Sequence, residues 1–241
     1  MFVDTEEPRV IAICEAIHKG DTSSLKALLQ EHPDLTTAYL GSPDEARTLL
    51  HVLTDWPGNY PNGAKTTQIL AEAGAKVDAP FIGKHSETAL HWAASCDDVA
   101  VLDALLDAGA NINAGGGVIA ETPLADARAF LQMKAAHRLV ERGADATLQD
   151  VATLGLLDKV KGFYGESLEG RPDEQDTNFA LWNASHGGQI EVVQFLYGQG
   201  ADVNTVPPWE NLTPVDAARR SEAGDVVEWL ETKGGRRFEG E

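Results

Sequence analysis

Short apolar runs separated by turn residues organise the sequence. In "TALHWAASCDDVAVLDALLDAGANIN" (88–113), one apolar run ends at a polar turn and a second ends at a glycine. The arrangement returns in "NFALWNASHGGQIEVVQFLYGQGADVN" (178–204) and in "TPVDAARRSEAGDVVEWLETKGG" (213–235). Apolar residues spaced along one helical face predict two helices in each copy. One such pair cannot bury its apolar faces alone, so the copies are expected to stack.

The glycines that close the second runs give the period. They are Gly74, Gly109, Gly143, Gly200 and Gly234, at intervals of 35, 34, 57 and 34 residues. The long interval contains a further copy, "DVATLGLLDKVKGFY" (150–164), which we interpret as lacking an opening threonine. The N-terminal "AICEAIHKGDTSSLKALLQEHPDL" fits the two helices without the opening residues. The count is therefore seven copies, and a period of this size is typical of a solenoid.

Residues with helix-capping chemistry stand at the predicted helix ends. Thr88, Thr122 and Thr213 can each accept a backbone N–H at the start of a first helix, and a proline follows two of them. The closing glycines suit the left-handed conformation that ends a helix. Aspartates are expected to cap second helices, namely Asp21, Asp98 and Asp225.

The period and the segments "TALHWAA", "TPLADA" and "GADVN" resemble the ankyrin repeat over essentially the whole chain. The resemblance implies an all-α ankyrin-repeat solenoid of about seven helix-turn-helix units with hairpin fingers and a concave face. It implies one domain over residues 1–241, and it implies that His51 and His91 are buried and hydrogen-bonded to neighbouring backbone. The expected units cover approximately 8–40, 47–79, 86–114, 120–147, 148–176, 177–207 and 211–235.

Charge narrows the range of partners. The chain has 19 basic and 38 acidic residues, a formal net charge of -19 at pH 7. This acidic charge repels phosphate backbones and anionic lipids, so neither nucleic acid nor a membrane is expected as a partner. The N-terminus lacks a cationic secretory signal, and no apolar run approaches the roughly 18 residues of a membrane span. Two cysteines are too few for a disulfide framework, so we expect a cytoplasmic protein.

Several segments depart from the repeat. The insertion "DWPGNYPNG" (55–63) separates the helices of the second unit, where it forms either part of a binding face or only a longer turn. Residues 78–87 and 113–121 lengthen two fingers, and residues 165–176 form a polar connection expected to be mobile. The G-x-G-x-x-A pattern of residues 115–120 lacks the preceding strand of a dinucleotide site, and no cofactor is expected.

The resemblance also implies which residues face the groove. These are the residue after the histidine position and the residue one helical turn further on, joined by tryptophans of the insertion and of the finger "VPPWEN". The candidate binding residues are Asp55, Trp56, Trp92, Ser95, Asp126, Asp150, Asn183, His186 and Trp209. They form either a pocket with an aromatic wall and several carboxylates, or a solvated acidic groove. No metal site is expected.

No nucleophile, metal or phosphate-loop motif supplies a catalytic template. The sequence therefore favours non-enzymatic recognition of a protein or peptide, with a basic partner suiting the acidic charge. The alternative is a small-molecule binder or atypical enzyme with a polar site in the central groove.

Overall fold

Helix pairs recur along the described chain. The computed structural model describes residues 1–118, 121–165 and 170–239, and the chain divides into two compact units, Met1–Asp145 and Ala146–Glu241. Each described part of the chain is helical apart from its turns, fingers and one small sheet. The all-α prediction is confirmed. The single domain over 1–241 stays a prediction.

Four helix pairs build the first unit. The helices are α1 (Pro8–Lys19), α2 (Thr22–Glu31), α3 (Leu49–Thr54), α4 (Gly63–Glu72), α5 (Ala89–Ser95), α6 (Val99–Asp107), α7 (Pro123–Ala129) and α8 (Met133–Glu141). The first helix of each pair packs on the first helix of the next, so that α5 lies between α3 and α7. Because α5 has partners on both sides, Ala89, Leu90, Ala93 and Ala94 are all buried.

A three-stranded sheet stands at the start of the first unit. Strand β1 (Phe2–Val3) pairs in parallel with β2 (Tyr39–Gly41), which pairs antiparallel with β3 (Ala46–Arg47). A 3-10 helix over Pro33–Thr37 precedes β2. Ala46 also forms an antiparallel bridge with Ile82 of the next finger. The sequence pattern did not predict these pairings, since strands of two or three residues carry little periodicity.

Three helix pairs build the second unit. The helices are α9 (Leu148–Thr153), α10 (Leu157–Phe163), α11 (Glu174–His186), α12 (Ile190–Gly198), α13 (Pro214–Arg220) and α14 (Gly224–Thr232). Helix α11 packs against both α9 and α13. Phe163, Phe195 and Trp229 contact the apolar core of this unit, as their place on second helices predicts. The connection predicted over residues 165–176 is shorter than expected because α11 begins at Glu174; residues 166–169 lie outside the described part.

The predicted helix ends are largely confirmed. The hydroxyl of Thr122 accepts the N–H of Ala125 at 3.2 Å, and Pro123 occupies the first turn of α7. Gly109 has a φ of +94°, the left-handed conformation that glycine adopts without a Cβ clash. The expectation for Asp225 is wrong, because this residue lies inside the first turn of α14 and Ala223 stands at the cap.

The fifth repeat, predicted over 148–176 without an opening threonine, has one at Thr147. Thr147 caps α9, and its hydroxyl accepts the N–H of Asp150 at 3.2 Å. The Asp150 carboxylate accepts the N–H of Thr147 at 2.8 Å in return. This reciprocal capping box shows that the unit has a threonine start, and that Asp150 occupies the position held by histidine in other units.

Candidate functional site

His51 ties one helix pair to the finger that follows it. Its Nδ1 accepts hydrogen bonds from the N–H of Thr48 at 3.3 Å and from the Thr48 hydroxyl at 2.9 Å. With Nδ1 as acceptor, the proton of the neutral ring lies on Nε2, which donates to the carbonyl oxygen of Glu87 at 3.0 Å. Burial lowers the pKa of His51 to about 4, so the ring is neutral at physiological pH.

His91 makes the same hydrogen bonds in the next repeat. Its Nδ1 accepts from the N–H of Thr88 at 3.0 Å, and its Nε2 lies 3.0 Å from the carbonyl oxygen of Glu121. Both histidines are 0% exposed, and burial also lowers the pKa of His91. Both nitrogens of each ring are engaged in the scaffold, as the resemblance implied. Neither ring is placed to act as a general base.

In the sixth repeat, Trp182 occupies the position that His51 and His91 hold in theirs. Its indole Nε1–H donates to the carbonyl oxygen of Leu212 at 2.8 Å. The residue type did not predict this role, although the alignment of "FALWNAS" with "TALHWAAS" places Trp182 opposite His91. The signal was present in the spacing, and the change of residue type concealed it.

The insertion of the second repeat, residues 55–63, holds Trp56 in an exposed position. The Arg47 guanidinium pairs with the Asp55 carboxylate, whose Oδ1 accepts the N–H of Trp56 at 2.9 Å. Beyond it, the N–H of Asn59 donates to Oδ2 of Asp98 at 2.9 Å. The loop is therefore fastened on both sides of Trp56, which remains 82% exposed. Asp55 is half-buried.

Trp92 is half-buried and takes part in a cluster at the second finger, which comprises residues 78–87. Its indole Nε1–H donates to Oε2 of Glu87 at 2.8 Å, and its ring lies edge-on to His51 with centroids 4.9 Å apart. Oε1 of Glu87 accepts the N–H of Val118 at 3.1 Å. The Glu87 carboxyl thereby joins helix α5 to the third finger, whose described residues are 113–118 and 121. The predicted open position of Trp92 is only partly correct, and Ser95 at the end of α5 is also half-buried.

Four predicted groove residues are buried. Their exposed fractions are 1% for Asp126, 2% for Asp150, 5% for Asn183 and 6% for His186. The expectation that these side chains are open to a groove is wrong.

The reason for the burial differs between Asp126 in the first unit and Asp150 in the second. In the first, the third finger covers Asp126, since a Cβ on Gly117 would lie 2.9 Å from its Oδ2. In the second, Asp150 is turned into the capping box with Thr147.

Asn183 and His186 of α11 are held by different parts of the second unit. The Nδ2 of Asn183 donates to the carbonyl oxygen of Phe179 in the same helix at 2.9 Å, and its Oδ1 lies 3.5 Å from the hydroxyl of Thr153 in α9. Nδ1 of His186 lies 3.3 Å from a guanidinium nitrogen of Arg220 and 3.4 Å from the hydroxyl of Ser221. The sequence placed both on the correct helix but could not show that α9 contacts the first and the end of α13 contacts the second.

Trp209 borders a cleft of the second unit. It is 54% exposed, and its ring packs edge-on against Phe179 with centroids 4.8 Å apart. The cleft beside this pair has a volume of about 610 Å³, lies between the start of α11 and the finger at residues 205–208, and is open to solvent. Trp56 and Trp209 are thus the two candidate tryptophans that the fold leaves accessible.

Burial disfavours the thiolate form of both cysteines. Burial, with lesser contributions from the carboxylates of Asp98 and Asp55, raises the pKa of the Cys96 thiol to about 11. Burial likewise raises the pKa of Cys14, and neither cysteine forms a disulfide. Within the described residues, no group of three or more His, Cys, Asp and Glu side chains could hold a metal ion.

Stacked helix pairs joined by a ring-to-carbonyl hydrogen bond define a helical-repeat protein. Residues 13–116 match the family model for ankyrin repeats (3 copies). An ankyrin repeat and KH domain-containing protein of Caenorhabditis briggsae is 28% identical over 239 residues, which is 95% of this chain. Ankyrin repeats are therefore present at residues 13–116, and the similarity to an ankyrin-repeat protein extends over 95% of the chain.

The chain spans 8% of the length of the Caenorhabditis briggsae protein, so the similarity concerns the repeats. In the part of the chain that the structure describes, no helix has the length and apolar character to cross a membrane. Ankyrin repeats are in general modules of protein–protein interaction.

Proposed function

We propose that the chain is a non-enzymatic recognition protein that binds a protein or peptide through its hairpin fingers, the groove-facing side of its first helices and the inserted loop of residues 55–63. The observation that carries the proposal is Trp56, which is 82% exposed although the loop around it is fastened to the scaffold. An indole in this position contributes little to the core. Tryptophan is, however, enriched among the residues that carry most of the energy of an interface.

The hydrogen bonds around Trp56 favour binding in a second way. The Asp55 carboxylate and the Asn59 backbone fix both flanks of the loop before any partner arrives. A side chain presented by a pre-ordered loop loses less conformational entropy on association, so more of its contact energy appears as affinity. Asp55 and half-buried Ser95 and Trp92 are the other candidates from the same unit.

The proposed partner is basic. The net charge of the chain is -19, and the turn between β2 and β3 exposes Asp44 and Glu45. Complementary charge accelerates encounter and disfavours acidic competitors such as nucleic acid and anionic lipid. We also propose a cytoplasmic location, where the two unpaired thiols would remain reduced.

A non-enzymatic role is supported by the engagement of the reactive groups. The His51 and His91 rings are bonded at both nitrogens, and the pKa of Cys96 is raised to about 11. Such a thiol carries almost no thiolate at neutral pH. The alternative, a small-molecule binder or atypical enzyme, is favoured by one observation. The cleft of about 610 Å³ in the second unit falls within the size range of ligand sites.

The experiment is a selection of random displayed peptides on the full chain, followed by affinity measurements on two variants. Trp56→Ala removes the exposed indole, and Tyr197→Ala removes an exposed ring from the second-helix side of the chain at α12. We expect Trp56→Ala to weaken the selected peptides by about tenfold or more and Tyr197→Ala to leave them unchanged. Failure to select any peptide, or equal binding by the Trp56 variant, contradicts the proposal.

A further inference from the structure

The cleft of the second unit has an acidic end and an apolar wall. Asp173 and Glu174, at the start of α11, supply carboxylates, and Phe179, Val206 and Pro208 supply apolar surface. The cavity of about 610 Å³ is large enough for a long side chain and its flanking backbone. The two kinds of surface therefore face one opening.

The carboxylates at the acidic end are available to a ligand. Both residues are exposed, and within the described residues no Lys, Arg or His lies at ion-pair distance from either one. Oδ1 of Asp173 caps α11 by accepting the N–H of Asp176 at 2.8 Å. The capping bond occupies one oxygen and leaves the negative charge of the group facing solvent.

The cleft is formed before a ligand binds. The N–H of Asp202 donates to Oδ1 of Asn178 at 2.7 Å, which fastens the finger to α11. Trp209 packs on Phe179 at a centroid distance of 4.8 Å. Two successive prolines, Pro207 and Pro208, restrict the backbone of the finger. A pre-ordered cleft binds its ligand at a lower entropic cost than a mobile one.

Both surfaces lie within two turns of α11. Glu174 and Phe179 line the same cleft and are five residues apart, which is about 7.5 Å along the helix axis and about 140° around it. A basic side chain with a three- or four-carbon stem covers such a span, with its stem on the apolar wall and its charged group at the carboxylates. Two adjacent carboxylates suit a guanidinium better than an ammonium, because its planar fork can bond to both.

We propose that this cleft binds an arginine side chain of a partner peptide, with an apolar residue beside that arginine packed on Val206 and Pro208. The inference rests on the proposed function, which it deepens by giving the chemistry of the partner. It concerns a surface of the second unit that is separate from Trp56. The two claims can therefore fail independently.

The probe is an array of nine-residue peptides with a central arginine and flanking leucine, proline or phenylalanine, together with the same array carrying citrulline at the centre. Citrulline keeps the shape of arginine without its charge. We expect the full chain to bind arginine members about tenfold or more tightly than their citrulline counterparts. Agmatine, which has the guanidinium without a peptide, should bind far more weakly than the best peptides.

Matched variants assign the preference to the cleft. Asp173→Asn with Glu174→Gln removes two charges and keeps a capping residue at the start of α11. Glu191→Gln with Glu228→Gln removes two exposed charges from α12 and α14 and serves as the control. The first pair should abolish the preference for arginine over citrulline, and the control pair should preserve it.

Each other outcome overturns the inference. If the preference for arginine over citrulline is absent from the wild-type chain or survives the Asp173 and Glu174 changes, the carboxylates do not bind the guanidinium. If agmatine binds as tightly as the peptides, the occupant is a small amine. If peptides bind only through Trp56, the proposed function stands while the inference about the cleft fails. If neither this array nor a random library yields binding, both fail.

Discussion

The indole Nε1–H of Trp182 donates to the carbonyl oxygen of Leu212 at 2.8 Å, as the Nε2–H of His51 donates to the carbonyl of Glu87 at 3.0 Å. Two different rings thus make the same connection, from the first helix of one pair to the residues just before the first helix of the next. Where a ring stands at this position, the connection requires its N–H and not a histidine, whereas Asp150 at the same position caps its own helix.

Replacing Trp182 with phenylalanine tests that requirement. The variant keeps an aromatic ring but leaves the Leu212 carbonyl without its donor, at a cost of about 1–3 kcal/mol in the free energy of unfolding. Urea denaturation measures the change. Trp209→Phe is the control, because its indole is 54% exposed, and it should change stability little. An equally small loss in both variants would show that the bond to Leu212 is dispensable.

Trp92 should contribute to stability through Glu87 as well as to the surface. Trp92→Phe removes the N–H that donates to Oε2 of Glu87 and should lower the free energy of unfolding by about 2 kcal/mol. Trp229→Phe is the matched change, since Trp229 is also half-buried and its indole has no hydrogen bond within the described residues. If thermal and urea unfolding of both variants match the wild type, the cluster at the second finger is not a structural brace.

His51 should make the fold less stable as the pH falls. Its pKa is about 4 in the folded chain, against 6.5 for an ordinary histidine. Between these values the unfolded chain binds more protons. The contribution of His51 is therefore complete above pH 6.5 and declines on acidification to pH 4, by about 3 kcal/mol.

His51→Gln isolates this contribution from those of the carboxylates, since glutamine can also cap at that position. The free energy of unfolding should depend less steeply on pH between 6.5 and 4 in the variant than in the wild type. The same steep dependence in both, or a His51 ring that titrates near pH 6.5 by NMR in the folded chain, contradicts the account.

The threonine that opens the fifth repeat, Thr147, gives a further prediction. Thr147→Ala removes the hydroxyl that accepts the N–H of Asp150 and should cost about 1 kcal/mol. Thr147→Ser retains the hydroxyl and should restore most of the loss. Stability measured by urea denaturation that is unaffected by the alanine change would mean that α9 does not depend on this cap.

Much of the fold was predictable from local chemistry. Capping by Thr122 and the left-handed turn at Gly109 depend on residues close in sequence, and spacing alone located them. The pairing of β1 with β2 joins Phe2 to Tyr39, far apart in the chain, and left no periodic signal.

The candidate site was harder to predict because exposure depends on neighbouring elements. Asp126 occupies a groove position in the repeat, yet the third finger covers it. Thr147, which caps α9, lies before the predicted copy at residues 150–164. Asp150 was therefore aligned with the residue after the histidine position, although it occupies the histidine position itself. Trp56 and Trp209 were the easier cases, since an insertion and a proline-rich finger leave few neighbours to bury an indole.

The most direct test of the recognition claim observes the tryptophans themselves. The chain contains five, so 5-fluorotryptophan labelling gives five ¹⁹F NMR signals, which single Trp→Phe variants assign. On addition of a peptide selected by the full chain, the Trp56 signal should shift and lose its solvent isotope effect as the ring becomes buried, while the Trp182 signal stays in place. A bound peptide that leaves the Trp56 signal unchanged would contradict the proposed function.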